Sequence, residues 1–383
     1  MRFAVDAHAI GQHLTGNETY IRNLLNGFAR VDEDAEIVAY ISRRSAAEEI
    51  PGRFRTRLVS ANPFLRLGRH LSRRLREDRP ALVHVQYTAP LLCPAPVVVS
   101  VHDVSFLSHP QFFTRTRSAQ LRTTVRRTVR GAARVLTPSE FSRRSVLDAY
   151  ALDEENVVAV HNGVSSQFRP LPRVAAAQEV AARFRIHAPY ILTVGDLQPR
   201  KNHLSLFRAF AEVLRARPDL PHHLVVAGKE TWYSSVVHEA ARKSEFAGRI
   251  HFTGFVSDNE LLRLYGGCDV FAFPSWYEGF GLPILEAMAC GRAVACSDTS
   301  AMPEVADSAA LLFDPASVPA MSRAILDLLL HPELRARVER LGAQRAARFS
   351  WNAAAEQTLA VYRQAARSVE PAVVRVTVPA VRS

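Results

Sequence analysis

Short β-branched runs alternate with amphipathic segments along the whole chain. In the first half the runs are FAVDAHAI (3–10), EIVAYIS (36–42), ALVHVQY (81–87), APVVVSVHDV (95–104), RVLTPS (134–139) and NVVAVHNGV (156–164), with helical stretches such as ETYIRNLLNGFARV between them. Near-continuous apolar strands separated by amphipathic helices predict a mostly parallel sheet covered on both faces. The stretch SSQFRPLPRVAAAQEVAARFRIHAP, beginning at Ser165, breaks this rhythm with three prolines and no strand. A second series follows: YILTVGDL (190–197), HHLVVAGK (222–229), RIHFTGFV (249–256), DVFAFPS (269–275), AVACSD (293–298) and ALLFDP (310–315). Beyond Asp314 the pattern turns helical, with Pro332 suited to a first turn and Ser350 to a cap before Trp351.

The fold class expected is therefore α/β, with two doubly wound parallel-sheet (Rossmann-like) domains facing an interdomain cleft. The first spans 1–170 and the second 189–350, joined by a linker over 171–188. A C-terminal helix over 351–368 packs back toward the first domain, and 369–383 is a tail. The length agrees, since 383 residues exceed the ~250–300 at which a single core stops growing. Ligands of such sheets bind beyond the carboxyl ends of the strands, so chemistry is expected just after strands.

Composition narrows the class. No apolar run reaches the ~18–20 residues of a membrane span. The N-terminal MRFAVDAHAIGQ, interrupted by Asp6 and His8, reads as a first strand and not as an export signal, which places the protein in the cytoplasm. Cys93, Cys268, Cys290 and Cys296 show neither paired nor zinc-finger spacing and are read as buried free thiols. The net charge of +11 is uneven: residues 1–170 hold 24 Arg and Lys against 16 Asp and Glu, residues 171–383 hold 24 against 21. Much of the excess lies in residues 53–78 and between Arg115 and Arg134. It is either a solvated face or a surface for anionic membrane or a phosphorylated acceptor. No nucleic-acid recognition motif accompanies it.

Four segments at strand ends carry candidate chemistry. In YEGFGLPILEAMACG (277–291), Gly279 and Gly281 permit sharp turns, and Pro283 fits the first position of a helix running to about Cys290, stopped by Gly291. Free amides at that helix start favour an anion, with Glu278 in the loop and Glu286 about one turn inside. Taken alone, the turn is equally a capped helix with an ordinary first-turn acid. In VGDLQPRKNHLSLFRAF (194–210) a strand ends at Gly195, and Arg200-Lys201-Asn202 opens the next helix, so that two cations stand where a phosphate chain would rest. A surface pair of basic residues would look the same. His102-Asp103, at the end of VVVSV, is either a site histidine or a packed core histidine. Gly16, in a loop between the first strand and first helix, is a weak sign of close backbone approach, and Asn162-Gly163 in HNGV reads equally as a turn. Asp32-Glu33-Asp34 is formally D-x-D but falls between a helix and a strand, an exposed acidic turn. The dinucleotide-binding, P-loop, zinc-protease and nucleophile-elbow motifs do not occur.

Together these segments resemble the family 4 retaining glycosyltransferases of the GT-B architecture. The resemblance covers nearly the whole chain and rests on the E-x7-E pair Glu278 and Glu286, on VGDLQPRKN, SVHDVSFLSHP and HNGV, and on PSEFSRRSV and TGFVSDNELLRLY, in that family's order. It implies a hexose moved from a nucleotide-diphosphate sugar, with GDP-mannose mildly favoured, to a saccharide or lipid-linked acceptor. It also implies that the second domain holds the donor and the first admits the acceptor. By matching position, Arg200 and Lys201 would neutralise the diphosphate and Glu286 would accept hydrogen bonds from the ribose hydroxyls. Glu278 and His102 would meet the transferred sugar. Backbone at Phe280, Gly281 and Leu282 would run along sugar and phosphates, with Gly195 and Gly16 nearby and Val256 beside the base. The catalytic set expected is Glu278, His102, Arg200 and Lys201, with no metal and no cofactor. Many relatives carry consecutive glycines where this chain has Thr15-Gly16-Asn17. Alternatives on the same architecture are a nucleotide-sugar epimerase, a phosphorylase built on one of the three lysines Lys201, Lys229 and Lys243, or a degenerate sugar-binding relative.

Overall fold

The computed structural model describes residues 1–12, 15–187 and 189–369. Two parallel sheets organise them. The first holds β1 (Arg2–Asp6), β2 (Glu36–Ile41), β3 (Arg55–Leu58), β4 (Leu82–Gln86), β5 (Val97–Ser100), β6 (Arg134–Thr137) and β7 (Val157–Ala159), in the order β3-β2-β1-β4-β5-β6-β7. The second holds β8 (Tyr190–Val194), β9 (His223–Ala227), β10 (Ile250–Gly254), β11 (Val270–Phe273), β12 (Ala293–Ser297) and β13 (Leu311–Phe313), in the order β10-β9-β8-β11-β12-β13. In each sheet the order reverses beside the first strand, between β1 and β4 and between β8 and β11, which opens a crevice at the carboxyl ends.

Central strands such as LVHVQ and AVACS are buried along their whole length, which is why they read as continuous apolar runs. β3 is the strand that periodicity misses. Its sequence RTRL has no apolar run because it is an edge strand, and Arg57 pairs with the buried Asp78 at 2.8 Å. The segment read as a linker carries a helix, Arg173–Phe184, packed on the Asp258–Gly267 helix of the second domain. Arg173 fixes it there through Asp269 at 2.8 Å and Glu339 at 2.6 Å.

The Trp351–Val369 helix returns to the first domain. It lies along the Thr15–Val31 helix, and Trp351, Ala355, Leu359 and Tyr362 complete a core that includes Phe3, Leu24 and Phe28. Tyr362 donates to or accepts from His84 Nδ1 at 2.5 Å, tying the C-terminal helix to β4. The tail read over 369–383 falls, beyond Val369, outside the described residues. Cys268, Cys290 and Cys296 are buried free thiols, whereas Cys93 is only half-buried.

Three local readings need correction. Gly16 lies inside the first turn of the Thr15–Val31 helix, not in a loop; Thr15 takes the positive φ of 41° that turns the chain into it. Arg200 and Lys201 precede the helix His203–Ala216 in a separate 3-10 turn, Pro199–Lys201, and Asn202 links the two in a left-handed conformation. The helix placed at Pro283 begins one residue earlier, as Leu282–Ala289.

Candidate active site

A cavity of about 730 Å³ opens between the sheets, lined from both domains. Every residue of the expected catalytic and donor set borders it: Gly16 and His102 from the first domain, and Gly195, Arg200, Lys201, Val256, Glu278, Phe280, Gly281, Leu282 and Glu286 from the second. Residues more than 250 positions apart thus meet because each follows a strand whose carboxyl end faces the crevice.

Glu278 is the electrostatic centre. Its Oε2 lies 2.5 Å from Arg200 Nη1 and its Oε1 2.7 Å from Lys201 Nζ, all three side chains being largely buried. Burial opposes the carboxylate charge, but the two cations outweigh it and draw its pKa down to about 2. Burial also disfavours the Arg200 charge, yet Glu278 and Asp103 hold its pKa above the ordinary value. For Lys201, burial prevails, aided by Arg200, and its pKa is lowered despite Glu278. The backbone fixes this group. Arg200 also donates to the Tyr277 carbonyl at 2.8 Å, Trp276 N donates to the Arg200 carbonyl at 2.9 Å, and Glu278 N donates to Ser300 Oγ at 2.9 Å.

Gly281, with φ of 111°, starts the Leu282–Ala289 helix without a side-chain cap, leaving the first-turn amides toward the cavity. One turn in, Glu286 accepts from Tyr265 Oη at 2.9 Å, and among the described residues no cation forms an ion pair with it. Burial pushes its pKa up to about 7. Two carboxylates eight residues apart therefore differ by several orders of magnitude in acidity: one is clamped by two cations and the other buried with a phenol.

Across the cavity His102 Nε2 sits 2.8 Å from Gln86 Oε1. An amide oxygen only accepts, so Nε2 carries the proton and Nδ1 is left as an acceptor. Burial, partly offset by Asp103, lowers the His102 pKa to about 4 and keeps the ring neutral. Tyr20 and Tyr87 hold it edge-on at centroid distances of 4.6 and 5.6 Å. The histidine is packed, and it also lines the cavity.

The domains touch where the motifs lie. Ser139 caps the Glu140–Tyr150 helix and donates to the Gly279 carbonyl at 2.7 Å, and Ser142 Oγ donates to the same carbonyl at 2.9 Å. Gly279 itself is pressed on the His102 carbonyl, which a Cβ would meet at 1.8 Å. Glu304 accepts from the amides of Glu140 and Phe141 at 2.9 and 3.0 Å and meets His161 Nε2 at 2.8 Å. At the cavity mouth Arg22 bridges Glu49 and Asp258, each at 3.2 Å. Sequence reading missed Tyr265, Gln86, Tyr87 and Arg22. Tyr265 sits in the quoted TGFVSDNELLRLY, but nothing in its spacing joins it to Glu286.

Two doubly wound lobes closing on a cavity, with paired cations, a carboxylate and an open helix start on one wall, define a glycosyltransferase of the GT-B architecture. Residues 179–345 match the family Glycosyl transferases group 1, and residues 14–168 match Glycosyltransferase Family 4. The chain is 31% identical over 268 residues to O-antigen chain mannosyltransferase B of Escherichia coli, covering 70% of each. Other curated mannosyltransferase relatives are longer, the match spanning 26% of their length. Among solved structures, sucrose-phosphate synthase from Thermosynechococcus elongatus superposes with a TM-score of 0.78 at 18% identity, covering 96% of this chain and 100% of that one. Anabaena HepE in complex with UDP-glucose gives 0.74 at 16% identity, covering 95% and 100%. The chain belongs to the family 4 glycosyltransferases, and it is an enzyme of glycosyl transfer.

Proposed function

We propose that the protein moves a hexose from a nucleotide-diphosphate sugar, with GDP-mannose the favoured donor, to a saccharide or lipid-linked acceptor, retaining the anomeric configuration and needing no metal. The observation that carries this reading is the buried group of Glu278, Arg200 and Lys201 at an uncapped helix start, one helical turn from Glu286. A departing nucleoside diphosphate gains charge as the bond to the sugar breaks, and fixed cations beside it stabilise that charge in the transition state. Arg200, Lys201 and the helix amides supply this, the task a divalent cation performs elsewhere. Glu286 receives the ribose hydroxyls, with Val256 beside the base.

In the transfer, the bond from the anomeric carbon to the diphosphate oxygen breaks, and the acceptor hydroxyl oxygen bonds to the same carbon on the leaving-group face. The hydroxyl proton passes to the departing phosphate oxygen. Glu278, already paired with two cations, orients sugar hydroxyls and is not the nucleophile; the neutral His102 accepts from a sugar hydroxyl through Nδ1. The mannosyltransferase relative favours a mannose donor, and Anabaena HepE, solved in complex with UDP-glucose, makes a uridine donor the comparison arm. Membrane contact belongs to the same reading, because a lipid-linked acceptor presents itself at an anionic surface.

The test is a panel of nucleotide sugars scored by thermal shift and slow donor hydrolysis, each with and without EDTA. GDP-mannose is expected to stabilise most, by RT ln(1 + [L]/Kd), with EDTA making no difference. A larger shift with a UDP-sugar would overturn the donor assignment, and loss of hydrolysis in EDTA would overturn metal independence.

A further inference from the structure

The rim of the first domain displays large apolar side chains where a solvated surface is expected. Phe64 is 80% exposed and Leu65 54%, on the loop after β3; Leu91 is 64% exposed and Leu92 68%, on the loop after β4. The two loops are one surface, because Leu91 N donates to the Leu67 carbonyl at 2.9 Å. Both are held rigidly outward. Asn62 Oδ1 accepts from the amides of Phe64 and Leu65 at 2.9 and 3.3 Å, with Pro63 opening the turn. Arg127 donates to the carbonyls of Ala89, Pro90 and Leu91, and Thr128 Oγ1 accepts from Ala89 N at 3.0 Å. Four apolar tips fixed in water have a cost that a lone mobile leucine would not.

Their surroundings are cationic. Arg69 and His70 follow within the same segment and are exposed. The Arg115–Gly131 helix, bound to the second loop through Arg127 and Thr128, carries six arginines and no acidic residue. The patch also adjoins the active site. Tyr87, four residues before Leu91, lines the cavity with φ of 60°. Apolar tips with Arg69 and Arg127 beside them, and an arginine-rich helix behind the second loop, match the boundary layer of an anionic bilayer, where acyl chains lie just below phosphates.

We propose that this rim docks on an anionic lipid surface, with Phe64, Leu65, Leu91 and Leu92 entering below the headgroups and the surrounding arginines meeting lipid phosphates. The proposal extends the lipid-linked acceptor of the functional reading by naming the surface that reaches it. Docked this way, the first-domain side of the cleft faces the membrane, and an acceptor head group enters beside Tyr87 without leaving the bilayer.

The experiment is co-sedimentation of the full chain with phosphatidylglycerol/phosphatidylcholine vesicles at low ionic strength, against phosphatidylcholine alone. Binding is expected to need the anionic lipid. It should weaken at least tenfold in Leu91→Ser/Leu92→Ser, and about fivefold each in Arg69→Ala and Arg117→Ala, the equivalent of the ~1 kcal/mol a basic residue contributes near such a surface. Leu92→Trp should shift its emission to the blue with these vesicles, while Val174→Trp, exposed on the second domain, should not. Equal binding to neutral vesicles, no binding at low ionic strength, or undiminished binding by the double serine variant would overturn the proposal. So would a wild-type dimer that the double serine variant loses, since the patch would then serve a second copy. Hydrolysis of the soluble donor is the separate readout: it stays at the wild-type rate in these variants, and its absence from the wild type would count against the functional reading alone.

Discussion

Glu286→Gln tests the nucleotide end of the site through a single titration. The carboxyl is buried, its hydrogen-bond partner is Tyr265 Oη, and its pKa stands at about 7 against an ordinary 4.5. An acid whose folded pKa is raised costs stability as pH climbs from its unfolded value through its folded one, because ionisation is easier once unfolded. At 1.36 kcal/mol per pH unit, that cost reaches on the order of 3 kcal/mol by pH 8 and vanishes near pH 4.5. Glutamine keeps the Tyr265 contact and cannot ionise, so denaturant midpoints should show the variant more stable than wild type at pH 8 and equal to it near pH 4.5. On the proposed assignment the ribose hydroxyls donate more strongly to the ionised carboxylate, and both donor phosphates stay singly charged over this range. Donor Kd in the wild type should therefore rise about tenfold from pH 8 to pH 6, following the protonated fraction of a group with pKa about 7. In Glu286→Gln it should be weaker at pH 8 and flat with pH, and turnover should fall less than donor affinity. Calorimetric titration at three pH values decides the matter: a wild-type Kd unchanged between pH 8 and 6, or a variant retaining the slope, refutes the reasoning.

Two further substitutions probe the wall beside it. Glu278→Gln removes the charge that holds Arg200 and Lys201, so turnover should fall by on the order of 10²–10³. Lys201, its pKa already lowered by burial, should lose its proton at lower pH still, moving the alkaline limb of the pH–rate profile downward; a wild-type rate or an unmoved limb counts against the assignment. Gly279→Ala places a Cβ 1.8 Å from the His102 carbonyl, an overlap that must push the domains apart. A loss of roughly 1–3 kcal/mol in stability is expected, with a larger fractional loss of activity; unchanged melting and turnover would show that the contact yields freely.

How much of this was legible follows from what each signal encodes. The two sheets were readable because buried parallel strands leave continuous apolar runs, and β3 was lost because an edge strand of alternating arginines leaves none. Glu278, Glu286, Arg200 and Lys201 were found because each follows a strand, and strand ends are where such folds bind ligands. The pairing of Arg200 and Lys201 with Glu278 across 78 and 77 residues is a tertiary fact with no periodicity to announce it. The Ser139 bond to the Gly279 carbonyl is equally unannounced, although Ser139 stands in the quoted PSEFSRRSV. Burial is the other illegible quantity. Nothing in YEGFGLPILEAMACG distinguishes a glutamate held at about 2 from one raised to about 7.

That asymmetry gives the site its order. Glu278 pairs with both cations and holds them in place, one carboxylate against two positive charges. On the proposed assignment, a diphosphate at the uncapped helix start meets Arg200 and Lys201 already oriented, which would keep the reorganisation on binding small. Since a carboxylate that already holds two cations is stabilised as an anion, it is a weak nucleophile toward carbon, and this favours Glu278 as the group that positions the sugar. At Glu286 burial outweighs Tyr265 and the more distant Lys201, so on the proposed assignment its ionised form is favoured by the donor hydroxyls that bind it. In the proposed donor site, then, the phosphate half rests on groups that Glu278 already fixes and the ribose half on a carboxyl whose charge burial opposes. For that reason pH should govern donor affinity through Glu286, while Glu278, with its pKa drawn down to about 2, stays ionised across the same range.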